Sequence, residues 1–318
     1  MGLLDSIGHT NFLNLAMMNK YIFLLTSVIL FSCGGENKTG QSESCKSGIA
    51  KILVEESFKP LFETSSEIFE SQAPKADIQP KYMAEGEIID EFYKGEIKTI
   101  CISRDLTENE KKILKSKKIE VRSDRIAIDG VALIVNPKNK DTTITLDELQ
   151  KILKGQILKW KTSKEEINVV FDNQRSANFN YLLAFSKTDK LSKNVFAVKS
   201  NEEVINYVKK NENAIGVIGL NWVSDQDDFE VMNFLDSIKV MHVAKNAKSD
   251  YFQPYPGVIY TYEYPLTREM WLINWGARSG INSGFVNFMI GEKGQLLIQK
   301  SELVPARSPI RLIQMSTE

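Results

Sequence analysis

The run from Arg125 to Asn136 constrains this fold more than any other part of the chain. Its apolar stretch, Ile126 to Val135, is longer than an ordinary strand of about 5–6 residues, and Asp129-Gly130 interrupts it in the middle. It reads as one strand crossing between two lobes, and it ends at the turn Pro137-Lys138-Asn139-Lys140. Ahead of it, strand, turn and helix alternate. A strand from Ile49 to Val54 leads to Pro60, which fits the first turn of a helix running to about Ser71. A second strand, Asp77 to Met83, meets the polar turn Ala84-Glu85-Gly86-Glu87. A short helix, Ile88 to Tyr93, then leads to a third strand, Lys98 to Ile102. That repetition is the pattern of a parallel sheet covered by helices.

Beyond the long strand, Leu146 to Lys154 reads as a helix stopped by Gly155. Val169 to Phe171 is a strand running into a polar turn, with a helix from Phe179 onwards and another from Asn201 to Lys210. Ala214 to Leu220 and Ser237 to Ala244 read as strands. Thr267 to Trp275 and Asn282 to Lys300 are expected to be helical, with Trp271 and Trp275 on one helix face. The aromatic group Tyr251, Phe252, Tyr255, Tyr260, Tyr262 and Tyr264 is expected to pack in the core and between the lobes.

The N-terminal region has a different character. Lys20 precedes an eleven-residue, mostly apolar run, Tyr21 to Phe31, which closes on Leu30-Phe31-Ser32-Cys33-Gly34. The run is too short to span a bilayer, which needs about 20 apolar residues, and falls in the range of about 7–15 for a signal peptide. It resembles a bacterial lipoprotein signal, which implies cleavage before Cys33 and acylation of that cysteine. The domain plan is then a signal segment over residues 1–32, with 1–17 upstream of the true start, and a lipidated cysteine with its tether over 33–48. Residues 49–135 with 250–318 form lobe one, and 136–249 form lobe two. The expected location is the cell envelope, anchored by Cys33 to the inner or outer membrane, with the folded part in the periplasm or outside.

Formal net charge is −1, from 40 basic and 41 acidic residues, so no global field draws the protein to nucleic acid. Any anion site must be local. After the signal only one histidine, His242, remains, beside Cys45 and Cys101. Zinc sites and histidine-based catalytic arrangements therefore have little to build on, and neither an enzyme activity nor a cofactor is expected. Cys101 reads as a buried free thiol, with a Cys45–Cys101 disulfide as the alternative. The Glu85/Glu87 pair is expected to be solvated at the surface.

Three polar turns sit where a strand's carboxyl end meets a helix start: Ser57-Phe58, Ser103-Arg104 and Ser176-Ala177-Asn178. In open α/β sheets ligands bind in that crevice, and free helix-start N–H groups favour anions. Further segments sharpen the reading: Val54-Glu55-Glu56-Ser57-Phe58, Asp129-Gly130-Val131-Ala132, Asn213-Ala214-Ile215-Gly216, Tyr264-Pro265-Leu266-Thr267-Arg268 and Leu303-Val304-Pro305. Through these, from Ile52 to Pro305, the chain resembles the phosphate-binding proteins of bacterial ABC importers. The likeness is greatest to the lipid-anchored versions of Bacteroidetes-type bacteria.

The resemblance implies a two-lobed α/β fold of the type II periplasmic binding class, each lobe a mostly parallel sheet with flanking helices. It implies a monomeric binding unit that captures phosphate or a related oxyanion between the lobes for an ABC permease or another envelope membrane protein. Ser57, Phe58, Ser103, Ser176, Ala177 and Asn178 would then contact the ligand. The family's Ser-Gly-Thr grip reads Ser176-Ala177-Asn178 here, and Ala restricts backbone approach as Gly does not. An acid that follows the family's third-strand serine is replaced by Arg104, and an arginine ahead of the grip by Asp172. The two are expected to pair across the cleft within about 4 Å, or Arg104 to serve the ligand directly. The altered grip leaves a second reading open, an envelope docking module that keeps the fold with a degenerate site.

Overall fold

A computed structural model describes residues 44–224 and 234–307. Cys33, the apolar run before it and most of the tether lie outside the described residues, as does the 1–17 segment.

The long central strand is β4 (Arg122–Val135), and it belongs to two sheet regions. Its first part pairs antiparallel with β11 (Thr267–Asn274) from Arg122 to Gly130, and its second part pairs antiparallel with β8 (Ala214–Gly219) from Val131 to Val135. The change of partner falls at Asp129-Gly130, where the sequence breaks its apolar run. On one side the order continues from β11 through β3 (Thr99–Ile102) and β1 (Ser47–Glu55) to β2 (Lys75–Met83), with β1 parallel to both neighbours. On the other side β8 pairs in parallel with β6 (Asn168–Phe171), and β6 with β7 (Val195–Ala197). β5 (Thr143–Thr145) and β10 (His242–Ala244) form a separate pair, while β9 (Lys239–Val240) and β12 (Val304–Pro305) add to β4. This is the two-lobed α/β architecture expected from the alternation of strands and helices.

Helices cover both faces. α1 (Lys59–Gln72) starts with Pro60 in its first turn, where a missing N–H costs nothing. α2 (Glu85–Phe92) and α3 (Glu108–Ser116) cover the opposite face of β1 and β3. Leu53, Ile100 and Ile102 pack with Ile88, Phe92 and Leu114 there, while Ile52, Val54 and Cys101 point into the larger core. Strands buried on both faces read as continuous apolar runs, which is why β3 and the 52–54 end of β1 show no polar alternation. α3 and α4 (Leu146–Leu153) each begin with a capping box, Thr107/Glu110 and Thr145/Glu148. The second lobe's remaining helices are α5 (Ala177–Ser186), α6 (Asn201–Lys210) and α7 (Asn221–Ser224). The short α8 (Pro256–Tyr260), α9 (Ile281–Ile290) and α10 (Glu292–Lys300) are the last helices of the described residues. Among the described residues no helix is long and apolar enough to cross a membrane.

Several local expectations are corrected. Thr267 to Asn274 is a strand: Arg268, Met270 and Leu272 are buried while Thr267, Glu269 and Trp271 are half-buried, a period of two. Residues four apart share a face in a strand as well as in a helix, so the Trp271–Trp275 spacing fitted both. The final helix is two helices meeting at Gly291. A Cβ on Gly294 would lie 2.4 Å from the Met289 Cα, so the close turn between them needs glycine there. Ala84–Glu87 is not a free turn, because α2 already begins at Glu85. The tyrosines do not form a packed group: Tyr255, Tyr260 and Tyr262 are more than half exposed, and only Tyr264 is fully buried, donating its hydroxyl to Val131 O at 2.7 Å. Cys45 and Cys101 are both free thiols, and Cys101 is buried as expected.

Candidate oxyanion site

β1 delivers Glu55 and a single 3-10 turn, Glu56–Phe58, into the space between the two sheet regions. Glu55 is fully buried, and its Oε2 accepts from Ser57 N at 2.9 Å. β6 ends at Phe171, and Asp172 follows it toward α5. Ser176 caps that helix by accepting from Phe179 N at 3.1 Å, and it donates its own hydroxyl to Asp172 Oδ1 at 2.7 Å. Glu55 Oε1 reaches the Ala177 amide, the first of α5, at 3.5 Å. Asn178 points inward: its Nδ2 lies 3.2 Å from Asp172 Oδ1 and 3.4 Å from Ser57 Oγ, and its Oδ1 accepts from Arg268 Nη1 at 2.9 Å.

Arg268 is the positive centre of this cluster. Strand pairing places it opposite Asp129, whose Oδ2 accepts from Arg268 Nε at 2.7 Å in a pair almost wholly out of solvent. The guanidinium also lies 5.2 Å from the centre of the Phe58 ring. Two polar atoms here are buried without a partner: Arg268 Nη2 and Asp129 Oδ1. Gly219, at the end of β8, permits the crowding. A Cβ there would stand 2.6 Å from Ser57 Cβ and 2.8 Å from Arg268 Nη2. The Gly219 amide itself donates to Asn201 Oδ1 at 3.2 Å. Asn201, first residue of α6, donates its own amide to Glu56 at 3.1 Å and bonds the same carboxylate through its side chain.

Burial dominates the titration of the carboxylates. It pushes Glu55 up against the opposing charge of Arg268, and Asp172 and Glu56 add to the push. Burial likewise drives Glu56 up to about 7, with Asn201 holding it back in part. Asp172 is raised by burial despite the bonds from Ser176 and Asn178.

Of the expected contacts, Ser57, Phe58, Asp172, Ser176, Ala177 and Asn178 converge in this one place. Ser103 and Arg104 are committed elsewhere. Glu85 is almost completely buried, and its carboxylate accepts from Ser103 N at 3.1 Å, Ser103 Oγ at 2.6 Å and Arg104 Nε at 3.0 Å. Glu110 takes the other edge of the Arg104 guanidinium in two bonds of 2.8 and 2.9 Å. These bonds, those to Glu110 first, hold Arg104 charged. The expected Arg104–Asp172 pair therefore does not form. Two nearer carboxylates saturate the guanidinium fork, while Asp172 bonds Ser176 and Asn178 and feels the charge of Arg268. Nor is Glu85 a solvated surface group, because it lies in the first turn of α2 beneath Ser103.

Glu55, Glu85, Asp129, Asn201 and Arg268 are further polar residues in or around the cleft that no local motif marks as site residues. Asp129 and Arg268 both stood inside segments read for their fold alone, and only the β4–β11 register brings them together. A cavity of about 450 Å³, lined by residues including Leu220, Val240, His242 and Tyr255, contains none of these side chains.

The chain is similar to known proteins over most of its length. A phosphate-binding protein PstS of Staphylococcus aureus (strain USA300) is 27% identical over 297 residues, covering 87% of this chain and 86% of that protein. Among solved structures, a putative phosphate ABC transporter substrate-binding protein from Clostridium perfringens with bound phosphate superposes with a TM-score of 0.70. It is 23% identical, with 82% of this chain and all of that one covered. An ABC-type phosphate transport receptor from Vibrio cholerae superposes with a TM-score of 0.60 at 22% identity, covering 81% of this chain and all of that one. The sequence model of the PBP superfamily domain matches residues 39–293, and on that match across most of its length the chain belongs to the PBP superfamily.

Proposed function

We propose that this chain is a lipid-anchored, extracytoplasmic solute-binding protein that captures phosphate or a related oxyanion between its lobes for a membrane transporter. In this reading 49–135 with 250–318 form one lobe and 136–249 the other, Cys33 carries the anchor, and an ABC permease receives the ligand. The protein performs no chemistry on its ligand. It closes by hinge motion and reopens at its partner.

The observation that carries the reading is the unpartnered Arg268 Nη2, buried in the same cluster as Glu55, whose carboxyl group takes the Ser57 and Ala177 amides. A buried N–H without an acceptor costs about 1–3 kcal/mol, more for a charged group, and an oxyanion oxygen would satisfy it. Guanidinium and helix-start amides are together the donors that suit such an oxygen. The relatives named as phosphate-binding support the same ligand class.

A specific observation favours the second reading. Glu55, Glu85, Asp129 and Asp172 are buried in or around the cleft, Glu56 stands beside them, and among the described residues there Arg268 is the one buried cation. Like charges repel strongly where water is excluded. A degenerate docking module would keep such a cluster at no cost to function. Calorimetric titration with phosphate, sulfate and molybdate separates the two. A receptor binds one of them with micromolar or tighter affinity, about −8 kcal/mol or better, and a docking module binds none.

A further inference from the structure

The cleft is bridged by the protein's own groups. Glu55 alone spans the Ser57 amide on its own connection and the Ala177 amide at the start of α5. Glu56 takes the Asn201 amide, and Arg268 reaches Asn178. Toward the surface, Gly86 N donates to Arg175 O at 2.9 Å, while Arg175 Nη2 donates to Gly86 O at 2.8 Å and to Asp90 at 2.5 Å. Apart from the Glu55–Ser57 bond, each of these joins a residue of 49–135 or 250–318 to one of 136–249. In a hinged receptor the ligand supplies such bridging bonds. Here the chain supplies them itself.

We propose that Glu55 is a built-in occupant of the oxyanion site: its carboxyl group holds the cleft closed without ligand, and a diffusible oxyanion binds only by displacing it. The proposal rests on reading the cleft as an oxyanion site and adds the residue that sets its selectivity. An ionised carboxylate offers the same acceptor oxygens as an inorganic oxyanion, and it sits on two of the donors that such an ion would use. Protonation leaves it only one good acceptor. Arg268 Nη2 stays unfilled beside it, so the occupant satisfies the site incompletely. An incoming tetrahedral anion has oxygens for the amides and the guanidinium together. A tethered group competes at a high effective concentration, so weak acceptors are rejected and only an anion that also fills Arg268 succeeds. Burial raises Glu55 toward its neutral form, with Asp172, Glu56 and Glu85 acting in the same direction and Arg268 opposing. A neutral carboxyl group is the easier one to displace.

The test compares the purified full chain with its Glu55→Ala and Glu55→Gln variants. Small-angle X-ray scattering with and without inorganic phosphate reads closure, and calorimetry with phosphate reads affinity. The native protein should have the same radius of gyration in both conditions. Glu55→Ala should be larger without phosphate, contract on adding it, and bind at least about ten-fold more tightly. Should Glu55→Ala fail to fold, Glu55→Gln, which keeps the shape, should still gain affinity. A native protein that is open without phosphate overturns the proposal, as does a folded variant that binds phosphate no better than native while native binds it. If no form binds phosphate, yet native is closed and Glu55→Ala open, self-occupancy stands and the phosphate reading fails.

Discussion

Replacing Glu56 with Gln should make stability less dependent on pH, by an amount the structure sets. Burial raises Glu56 from 4.5 to about 7. A folded-state pKa above the unfolded value gives stability that is complete below the unfolded pKa and lost as pH rises through the folded one. At 1.36 kcal/mol per pKa unit, that loss is about 3 kcal/mol between pH ~4.5 and ~8, a large share of the roughly 5–15 kcal/mol a domain has in total. The Gln oxygen can keep both bonds from Asn201, whose amide now reaches Glu56 at 3.1 Å. Urea unfolding of native and Glu56→Gln protein at about pH 5, 6, 7 and 8 gives the difference directly. It should grow in favour of Gln by about 2.5 kcal/mol between pH ~5 and ~8. A difference that stays flat would refute the buried-carboxylate account of this cleft, since the other acids are common to both proteins.

Other perturbations test neighbouring parts of the account. Asp129→Ala leaves Arg268 buried without its ion-pair partner and should cost about 3–5 kcal/mol in urea unfolding. Gly219→Ala places a Cβ 2.6 Å from Ser57 Cβ; it should lower stability by about 1–3 kcal/mol by overpacking, read as a lower unfolding midpoint. Ser176→Ala removes the cap of α5 and a donor to Asp172, and should cost about 0.5–2 kcal/mol on the same measurement. Cys33→Ala should abolish incorporation of labelled fatty acid and leave uncleaved precursor; label in that variant would remove the anchor from the account.

Much of the fold could be read from local pattern. The apolar run of β4 and its break at Asp129-Gly130 announce a strand with two sets of partners, and Thr107 and Thr145, each followed by a glutamate at the third helical position, mark helix starts chemically. β11 reads as a helix in the sequence because its tryptophan spacing satisfies either period. Within the site, three turns were flagged by strand-end serines, and two of them do converge. Ser103 and Arg104 left that set because Glu85 and Glu110, 18 and 6 residues away in sequence, capture them first. Neither partner can be chosen from spacing. The Arg268–Asp129 pair is separated by 139 residues and exists only through strand register. Glu55 follows the strand expected over 49–54, and its place on two amides is not legible because it depends on how the two sheet regions approach each other.

The most direct measurement is a crystal structure of the native protein grown with phosphate. The account predicts a phosphate oxygen within hydrogen-bond distance of Arg268 Nη2, others on the Ser57 and Ala177 amides, and the Glu55 side chain swung away from both. Glu55 still resting on those two amides, with phosphate absent from the cleft or bound elsewhere, would contradict it.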